Sequence, residues 1–92
     1  MTLQQLIYFS AIARLKSYTQ AADELFVSQP NLSHAIRKLE EELGAPLFIK
    51  NGRSIELSPV AEGFQIHVSN ILKEIELAKS DISHYLNANE NK

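Results

Sequence analysis

The sequence contains no cysteine, few glycines and prolines, and no apolar run near the roughly 18 residues of a membrane span. The lack of cysteine excludes disulfides and thiolate metal sites, and it is typical of a reducing compartment. Three glycines and three prolines in 92 residues favour a helical fold, because these residues interrupt helices. The first residues lack the basic segment of a secretory signal, so we expect a cytoplasmic protein without a membrane partner.

Positive charge is also scarce, since the chain has nine Lys and Arg but eleven Asp and Glu, which gives a net charge of −2. Domains that bind nucleic acid are often strongly basic, so this balance argues mildly against such a partner. The charges are unevenly distributed, however. Residues 1–58 hold six basic and six acidic residues, and the net negative charge lies in residues 59–92. The first part of the chain can therefore carry a locally positive surface.

Capping residues divide the first half of the chain into three predicted helices. Apolar residues at helical spacing predict a first helix that ends near Lys16. Ser17 begins a Ser-x-x-Gln capping box and opens a short second helix. Ser28 opens a third helix, which runs to Leu43 and ends at Gly44. This arrangement is typical of a helix-turn-helix unit, although any small helical hairpin could share it.

After the third helix the pattern changes to that of β-structure. Leu47–Ile49 and Ile55–Leu57 have the composition of short strands. Between them, Asn51–Gly52 is a strong hairpin signal, because both residues tolerate positive φ. A hairpin that follows a helix-turn-helix unit is a wing, and the tip of this one would carry Lys50 and Arg53.

The third helix is predicted to have one apolar and one polar face. At 100° per residue, Leu32, Ile36 and Leu39 fall together, with Leu43 continuing the stripe. The opposite face and its flanks carry Pro30 near the start of the helix, Glu41 farther along it, and the polar residues Ser33, His34, Arg37 and Lys38. Such side chains can contact base edges in a major groove, and a helix N-terminus favours phosphate. A merely solvated face is the alternative.

Ser58 and Pro59 are expected to open a last helix of roughly 28 residues, about 42 Å long. It carries an apolar heptad stripe: Phe64, Val68, Ile71, Ile75, Ala78, Ile82 and Tyr85. A domain this small cannot cover so long a stripe, so we expect the helix to pair with a second copy. Packing on its own domain is the alternative. The predicted organisation is a DNA-binding domain at 1–58, a dimerisation helix at 59–86 and a polar tail at 87–92.

Several of these motifs together resemble one protein family. They are the segments Ser17–Ala22, Val27–Ser33, Leu39–Gly44 and Pro46–Phe48, followed by Arg53. In this combination they resemble the N-terminal domain of LysR-type transcriptional regulators, from about Leu3 to Gly63. The resemblance implies a mainly α fold: a winged helix-turn-helix with three helices and a two-stranded wing, then a long dimerising linker helix. It also implies a dimer, commonly with antiparallel linker helices, that binds an interrupted palindrome in double-stranded promoter DNA.

The resemblance also implies roles for individual residues. It places Gln29, Pro30, Ser33 and His34 against bases or nearby backbone in the major groove, Arg53 in the minor groove, and Thr19 and Lys50 at phosphates. Arg37 and Lys38 complete the expected DNA-binding surface. The family often has arginine at the position of His34 and a basic residue at that of Gln4, so we expect this chain to differ in base preference and affinity. The family usually has glycine at the position of Ala61, a difference that bears on the angle at which the linker helix starts.

The length of the chain limits what it can do. Family members carry a second, larger domain that binds a small-molecule effector. We therefore expect this chain to be a DNA-binding fragment of a longer parent protein, and we expect a small-molecule effector to bind only to that longer protein. A naturally short protein is the alternative.

Other classes of function are less well supported. No phosphate-binding loop, zinc-protease motif or nucleophile elbow is present, and His67 and His84 would stand roughly 25 Å apart on one helix. We therefore expect no enzyme, metal site or cofactor. A coiled-coil adaptor that uses the helix-turn-helix as a scaffold is the alternative function, and its partner binding would ignore salt.

Overall fold

The computed structural model describes residues 1–90, which form four helices and one antiparallel hairpin. The helices are α1 (Leu3–Leu15), α2 (Tyr18–Leu25), α3 (Gln29–Leu43) and α4 (Pro59–Glu90), and the strands are β1 (Phe48–Asn51) and β2 (Ser54–Leu57). This order confirms the predicted three helices, two-stranded wing and long final helix. No helix within residues 1–90 is both long and apolar enough to cross a membrane.

The caps predicted for α2 and α3 are confirmed. Ser17 Oγ accepts a hydrogen bond from the Gln20 amide at 3.1 Å, and Ser28 Oγ accepts one from the first turn of α3 at 3.2 Å. The predicted return bond from the Ser17 amide to the Gln20 side chain is not found among residues 1–90. The reciprocal capping box instead joins Thr2 and Gln5 at the start of α1, with N···O distances of 2.9 and 3.1 Å.

Each of the first three helices ends at a residue in the left-handed region. Gly44 ends α3 with φ of 78°, as predicted, and its amide donates to the Glu40 carbonyl oxygen at 2.8 Å. Lys16 and Phe26 end α1 and α2 with φ of 54° and 56°. Phe26 is 94% exposed, so the turn between α2 and α3 depends on backbone hydrogen bonds rather than on burial of this ring.

The core lies where α1, α2 and α3 meet the wing and the first turns of α4. The fully buried large side chains are Phe9, Ile12, Leu32, Ile36, Leu39, Leu47 and Val68. The Phe9 ring lies 5.3 Å from the Phe48 ring and 5.1 Å from the Phe64 ring. A single residue of α1 therefore packs against both the wing and α4. Leu43, expected to continue the apolar stripe of α3, is exposed.

The wing differs from the prediction by one residue at its turn. Asn51 pairs with Ser54, so the two turn residues are Gly52 and Arg53 rather than Asn51 and Gly52. Gly52 has φ of 68°, and Asn51 stays in the extended strand. A glycine with positive φ at the first central position is the pattern of a type II′ turn, which needs only one such residue. The strands therefore extend closer to the tip than expected.

The last helix departs from the prediction in length and in packing. It continues to Glu90, so residues 87–90 of the predicted tail are helical, and residues 91–92 lie outside the described part. Phe64 packs on Phe9, and Val68 is 1% exposed within the core. The start of the predicted seam is therefore covered by its own domain, which was the alternative considered for the whole stripe.

A set of hydrogen bonds around Leu47 joins α3, the wing and α4. The Leu47 amide donates to Glu40 Oε2 at 2.7 Å, and the Leu47 carbonyl accepts from the Ser58 amide at 2.9 Å. Ser58 Oγ donates to the Pro46 carbonyl at 2.7 Å and accepts from the Ala61 amide at 3.2 Å. Ser58 thus caps α4 and anchors the start of α4 to the loop before the wing. We call these four bonds the Leu47–Ser58 junction.

Replacing Ser58 by alanine should lower the free energy of unfolding by about 2 kcal/mol, since a helix cap and the partly buried hydrogen bond to the Pro46 carbonyl are both lost. Denaturant titration at fixed protein concentration measures the change. Ser54→Ala is the matched control. It removes an exposed hydrogen bond to the Asn51 carbonyl and should shift stability by less than about 0.5 kcal/mol. Equal changes in the free energy of unfolding for the two substitutions would contradict a stabilising role of the Leu47–Ser58 junction.

Candidate nucleic-acid interface

The outward face of α3 forms near its N-terminus because the opposite face is buried. Leu32, Ile36 and Leu39 are at most 1% exposed, which fixes the rotation of the helix. Gln29, Pro30, His34, Arg37 and Lys38 are exposed and Ser33 is half-buried. Together with Thr19 on α2 and with Lys50 and Arg53 on the wing, we call these residues the α3–wing surface.

The cations of the α3–wing surface have no carboxylate partner in the part of the chain that the structure describes. Among the side chains that the structure describes, no carboxylate oxygen lies within 4.0 Å of Arg37, Lys38, Lys50 or Arg53. By contrast, Arg14 on α1 pairs with Glu24 on α2. The basic side chains of this surface are therefore available to an external anion, whereas Arg14 is already neutralised.

The two helices of the helix-turn-helix meet through an exposed polar contact. Thr19 Oγ1 donates a hydrogen bond to Gln29 Oε1 at 3.3 Å. Thr19 lies in the first turn of α2 and Gln29 is the first residue of α3. This contact joins two residues of the predicted site that the sequence separates by ten positions.

Tyr18 supports the surface from below. Its ring packs at 5.9 Å from that of Phe48. Burial, together with the nearby Glu40 carboxylate and against the opposing effect of Arg37, raises the pKa of the Tyr18 hydroxyl to about 12. The hydroxyl therefore stays protonated near neutral pH and adds no negative charge beneath Arg37.

Arg53 and Lys50 occupy different parts of the wing. Arg53 is the second turn residue and lies at the tip, as predicted. Lys50 lies within β1, opposite Ile55, and not in the turn itself. Both side chains are exposed, so the wing presents one cation at its tip and one on its flank.

A second exposed surface runs along α1 and α4. Leu3 and Ile7 of α1, together with Leu72 and Ile75 of α4, line an open apolar groove bordered by Glu76 and Lys79. Beyond it, α4 carries exposed apolar side chains toward its end: Ala78, Ile82, Tyr85 and Leu86. We call the groove and this continuation the α1–α4 surface.

The predicted seam residues divide between these environments. Phe64 and Val68 lie in or against the core, Ile75 lines the groove, and Ile71, Ala78, Ile82 and Tyr85 are exposed. Leu3, Ile7 and Leu72 also line this surface, and the sequence pattern did not predict them as partners of the stripe. The signal for Leu72 was present, because it follows Val68 by four residues and so shares its face. For α1, the sequence does not show which apolar residues stay uncovered.

Metal-binding clusters are not found in the described part of the chain. No group of three or more His, Cys, Asp or Glu side chains within residues 1–90 could hold a metal ion. The exposed polar residues of the α3–wing surface instead combine hydrogen-bond donors with cations that pair with no described carboxylate, which suits a polyanion.

A model of the family described as "Bacterial regulatory helix-turn-helix protein, lysR family" matches residues 3–62. The chain belongs to this family. The Bacillus subtilis protein named "Uncharacterized HTH-type transcriptional regulator YwbI" is 54% identical over 57 residues, which is 62% of this chain and 19% of that protein. The Klebsiella aerogenes HTH-type transcriptional regulator BudR is 46% identical over 72 residues, which is 78% of this chain and 50% of BudR.

A solved structure shows the same architecture. The crystal structure of the BenM DBD in complex with benA site 1 DNA matches with a TM-score of 0.86 and 34% identity, covering 92% of this chain and 96% of that one. The family and fold expected from the resemblance are thereby confirmed. The relatives are transcriptional regulators rather than enzymes, as expected for this chain. The chain spans between 19% and 50% of the length of the two regulators compared.

Proposed function

We propose that this chain is the sequence-specific DNA-binding part of a LysR-type transcriptional regulator and that the α3–wing surface binds double-stranded promoter DNA. The observation that carries the proposal is the exposed polar face at the start of α3, with cations on the helix and the wing that no described carboxylate pairs with. An α-helix fits the major groove of B-form DNA, where amide, hydroxyl and imidazole groups can contact base edges.

The wing extends this surface to a second groove. With α3 in the major groove, the side chain at the tip of the hairpin, Arg53, is the candidate for the adjacent minor groove. Lys50 and the N-terminus of α2 are candidates for phosphate, because the first amides of a helix lack internal acceptors and favour anions. The complex of the BenM DBD with DNA supports this assignment by likeness of fold.

We further propose that the chain acts as a homodimer through the α1–α4 surface. Residues 80–90 of α4 continue for about 16 Å past the groove, and the apolar side chains Ile82, Tyr85 and Leu86 have no cover in the described part of the chain. A two-fold contact buries the same surface on both copies. Two copies related in this way match the two halves of an interrupted palindrome.

The remaining partners concern the longer parent protein. Because the compared regulators extend well beyond the matched region, we propose that any small-molecule effector acts on a part of the parent outside this chain. A regulator that binds promoters works where the bacterial chromosome is, which supports a cytoplasmic location.

Removing Arg53 should weaken DNA binding and its salt dependence. If Arg53 contacts phosphates in the minor groove, Arg53→Ala should reduce the slope of log K against log[salt] by about 0.9. The loss should be largest at A·T-rich flanks, where a narrow minor groove attracts arginine. Fluorescence anisotropy with labelled promoter fragments at several salt concentrations measures both effects.

Lys73→Ala is the matched control for Arg53→Ala, since it removes an exposed cation from α4, outside the α3–wing surface. It should leave the slope unchanged. Binding that is insensitive to salt in the unsubstituted chain would favour the protein-interaction adaptor instead. Equal losses on A·T-rich and G·C-rich flanks would contradict the minor-groove role.

His34→Arg should strengthen binding to sites with guanine at the contacted position. Arginine is always charged and can donate two hydrogen bonds to guanine, whereas histidine offers fewer donors. We expect at least roughly fivefold tighter binding on such sites, measured by anisotropy against the three other base pairs. His67→Arg adds the same charge on exposed α4 and serves as the control. If both variants bound every DNA sequence more tightly by the same factor, the gain in affinity would come from the added charge and not from a contact with guanine.

Ile75→Asp should convert the dimer to a monomer, because pairing would bury an unpaired carboxylate at a cost of several kcal/mol. Ile75 is only half-buried in the single chain, so the domain should still fold. Sedimentation velocity reports the assembly state, and far-ultraviolet circular dichroism reports folding. Asn70→Asp places a carboxylate on an exposed part of the same helix and should leave the dimer intact. A folded, dimeric Ile75→Asp variant would refute the proposed interface.

A further inference from the structure

The apolar groove between α1 and α4 is bordered by two residues of opposite charge, Glu76 and Lys79. Within one chain Lys79 Nζ lies 3.6 Å from Glu76 Oε1, and the two side chains are 70% and 73% exposed. So exposed a pair stabilises a helix only slightly, and both groups can therefore engage an outside partner at little cost. Lys73, Glu74 and Asp81 of the same helix do not border the groove.

The apolar positions of α4 match those of a second α4 that runs in the opposite direction. In a two-fold pair of antiparallel helices, a residue before the axis faces one that lies equally far behind it, and the same flank of each helix meets. With the axis near position 77, Leu72 faces the partner's Ile82 and Ile75 faces the partner's Ala78. The groove of each copy then receives the exposed apolar end of the other.

The same axis brings the charged residues of the two copies together. Glu76 then lies within about one residue, or 1.5 Å along the helix, of the partner's Lys79. Each carboxylate is flanked by the ammonium group of its own chain and by that of the partner. The apolar positions and the charged positions are independent features of the sequence, and both place the axis near position 77.

The heptad stripe alone also permits a second antiparallel register. With the axis near position 80, Ile75 faces the partner's Tyr85 and Ala78 faces the partner's Ile82. That register would separate the two Lys79 side chains by only about 3 Å along the helix axis, where like charges repel. It would also move Glu76 away from the partner's Lys79. The charges at the rim of the groove therefore distinguish between two registers that the apolar residues allow.

We propose that two copies of this chain pair with antiparallel α4 helices about an axis near position 77, and that reciprocal Glu76–Lys79 ion pairs between the copies select this register. The inference rests on the proposed homodimer through the α1–α4 surface. It makes α1 part of the interface, because Leu3 and Ile7 line the groove that the partner's Ile82 enters. Contact between the copies removes water from the rim, which strengthens the attraction and makes like charges costly.

Reversing one charge should separate the copies. In Glu76→Lys the four rim side chains near the axis are all positive, and in Lys79→Glu they are all negative. The dissociation constant of the dimer should therefore rise at least roughly tenfold in each variant. The double variant Glu76→Lys/Lys79→Glu restores opposite charges and should return the constant to within about threefold of the unsubstituted value. Sedimentation equilibrium of the 92-residue chain measures the constants, and circular dichroism verifies folding.

Lys73→Glu is the matched control, since it makes the same change of charge on an exposed part of α4 outside the groove. It should shift the dissociation constant by less than about threefold. Mixing the Glu76→Lys and Lys79→Glu chains pairs a positive rim with a negative one. Native mass spectrometry, with one of the two chains isotope-labelled, should show heterodimers in at least roughly tenfold excess over either homodimer.

The participation of α1 has its own test. Ile7 is 41% exposed and lines the groove, whereas Ile66 is 63% exposed and lies outside it. Ile7→Ser should raise the dissociation constant of the dimer at least roughly fivefold, because apolar area buried between the copies is lost on both sides of the axis. Ile66→Ser makes the same substitution on α4 and should change the constant by less than about twofold.

Three outcomes would overturn the inference and leave dimerisation itself in place. A Lys79→Glu chain that dimerises as tightly as the unsubstituted one would place the axis elsewhere. A double variant as weak as the single ones would show that the charges do not pair between copies. Equal effects of Ile7→Ser and Ile66→Ser would exclude α1 from the interface. An unsubstituted chain that stays monomeric at all concentrations would overturn the proposed homodimer as well.

Discussion

The Leu47–Ser58 junction is the constraint on which the placement of the remaining parts depends. Glu40 binds the Leu47 amide from α3, and Ser58 binds the Leu47 carbonyl while capping α4. The hairpin leaves the domain at Leu47 and returns at Ser58, so its base is tied at both ends. The wing therefore has a defined position relative to α3, and α4 has a defined direction. The α3–wing surface depends on the first condition, and the placement of the α1–α4 surface depends on the second.

Charge placement explains how a chain with a net charge of −2 can present a surface for a polyanion. Phosphate responds to the local field, which falls off over about a Debye length, roughly 8 to 10 Å. Within the described residues the cations on α3 and the wing have no ion-pair partner, whereas Glu24 and Glu42 are already held by Arg14 and the N-terminal amine. Because few cations contact DNA, a single copy should bind it with modest affinity, and a dimer that engages two half-sites should bind more tightly.

The features that could be predicted from sequence are those that depend on local spacing. The caps at Ser17 and Ser28 and the glycine at Gly44 reflect backbone requirements of a few neighbouring residues, and the structure matches them. The wing turn was misplaced by one residue, because Asn51–Gly52 and Gly52–Arg53 both satisfy the local rules and the register depends on strand packing. The Thr19–Gln29 contact could not be predicted, since it requires the relative placement of two helices.

The heptad stripe of α4 shows why a continuous pattern need not mean one continuous interface. Periodicity records which face of a helix is apolar, and it carries no information about what covers that face. Val68 is covered by the domain itself, Ile75 lies at the boundary, and Tyr85 is exposed. The first part of this apolar face thus packs in the core of its own domain, and the later part remains exposed. Since α4 is a single helix, any partner bound to its far end is placed at a fixed angle to the domain core. That rigidity would set the separation between two recognition helices, and with it the spacing of the half-sites that a dimer can bind.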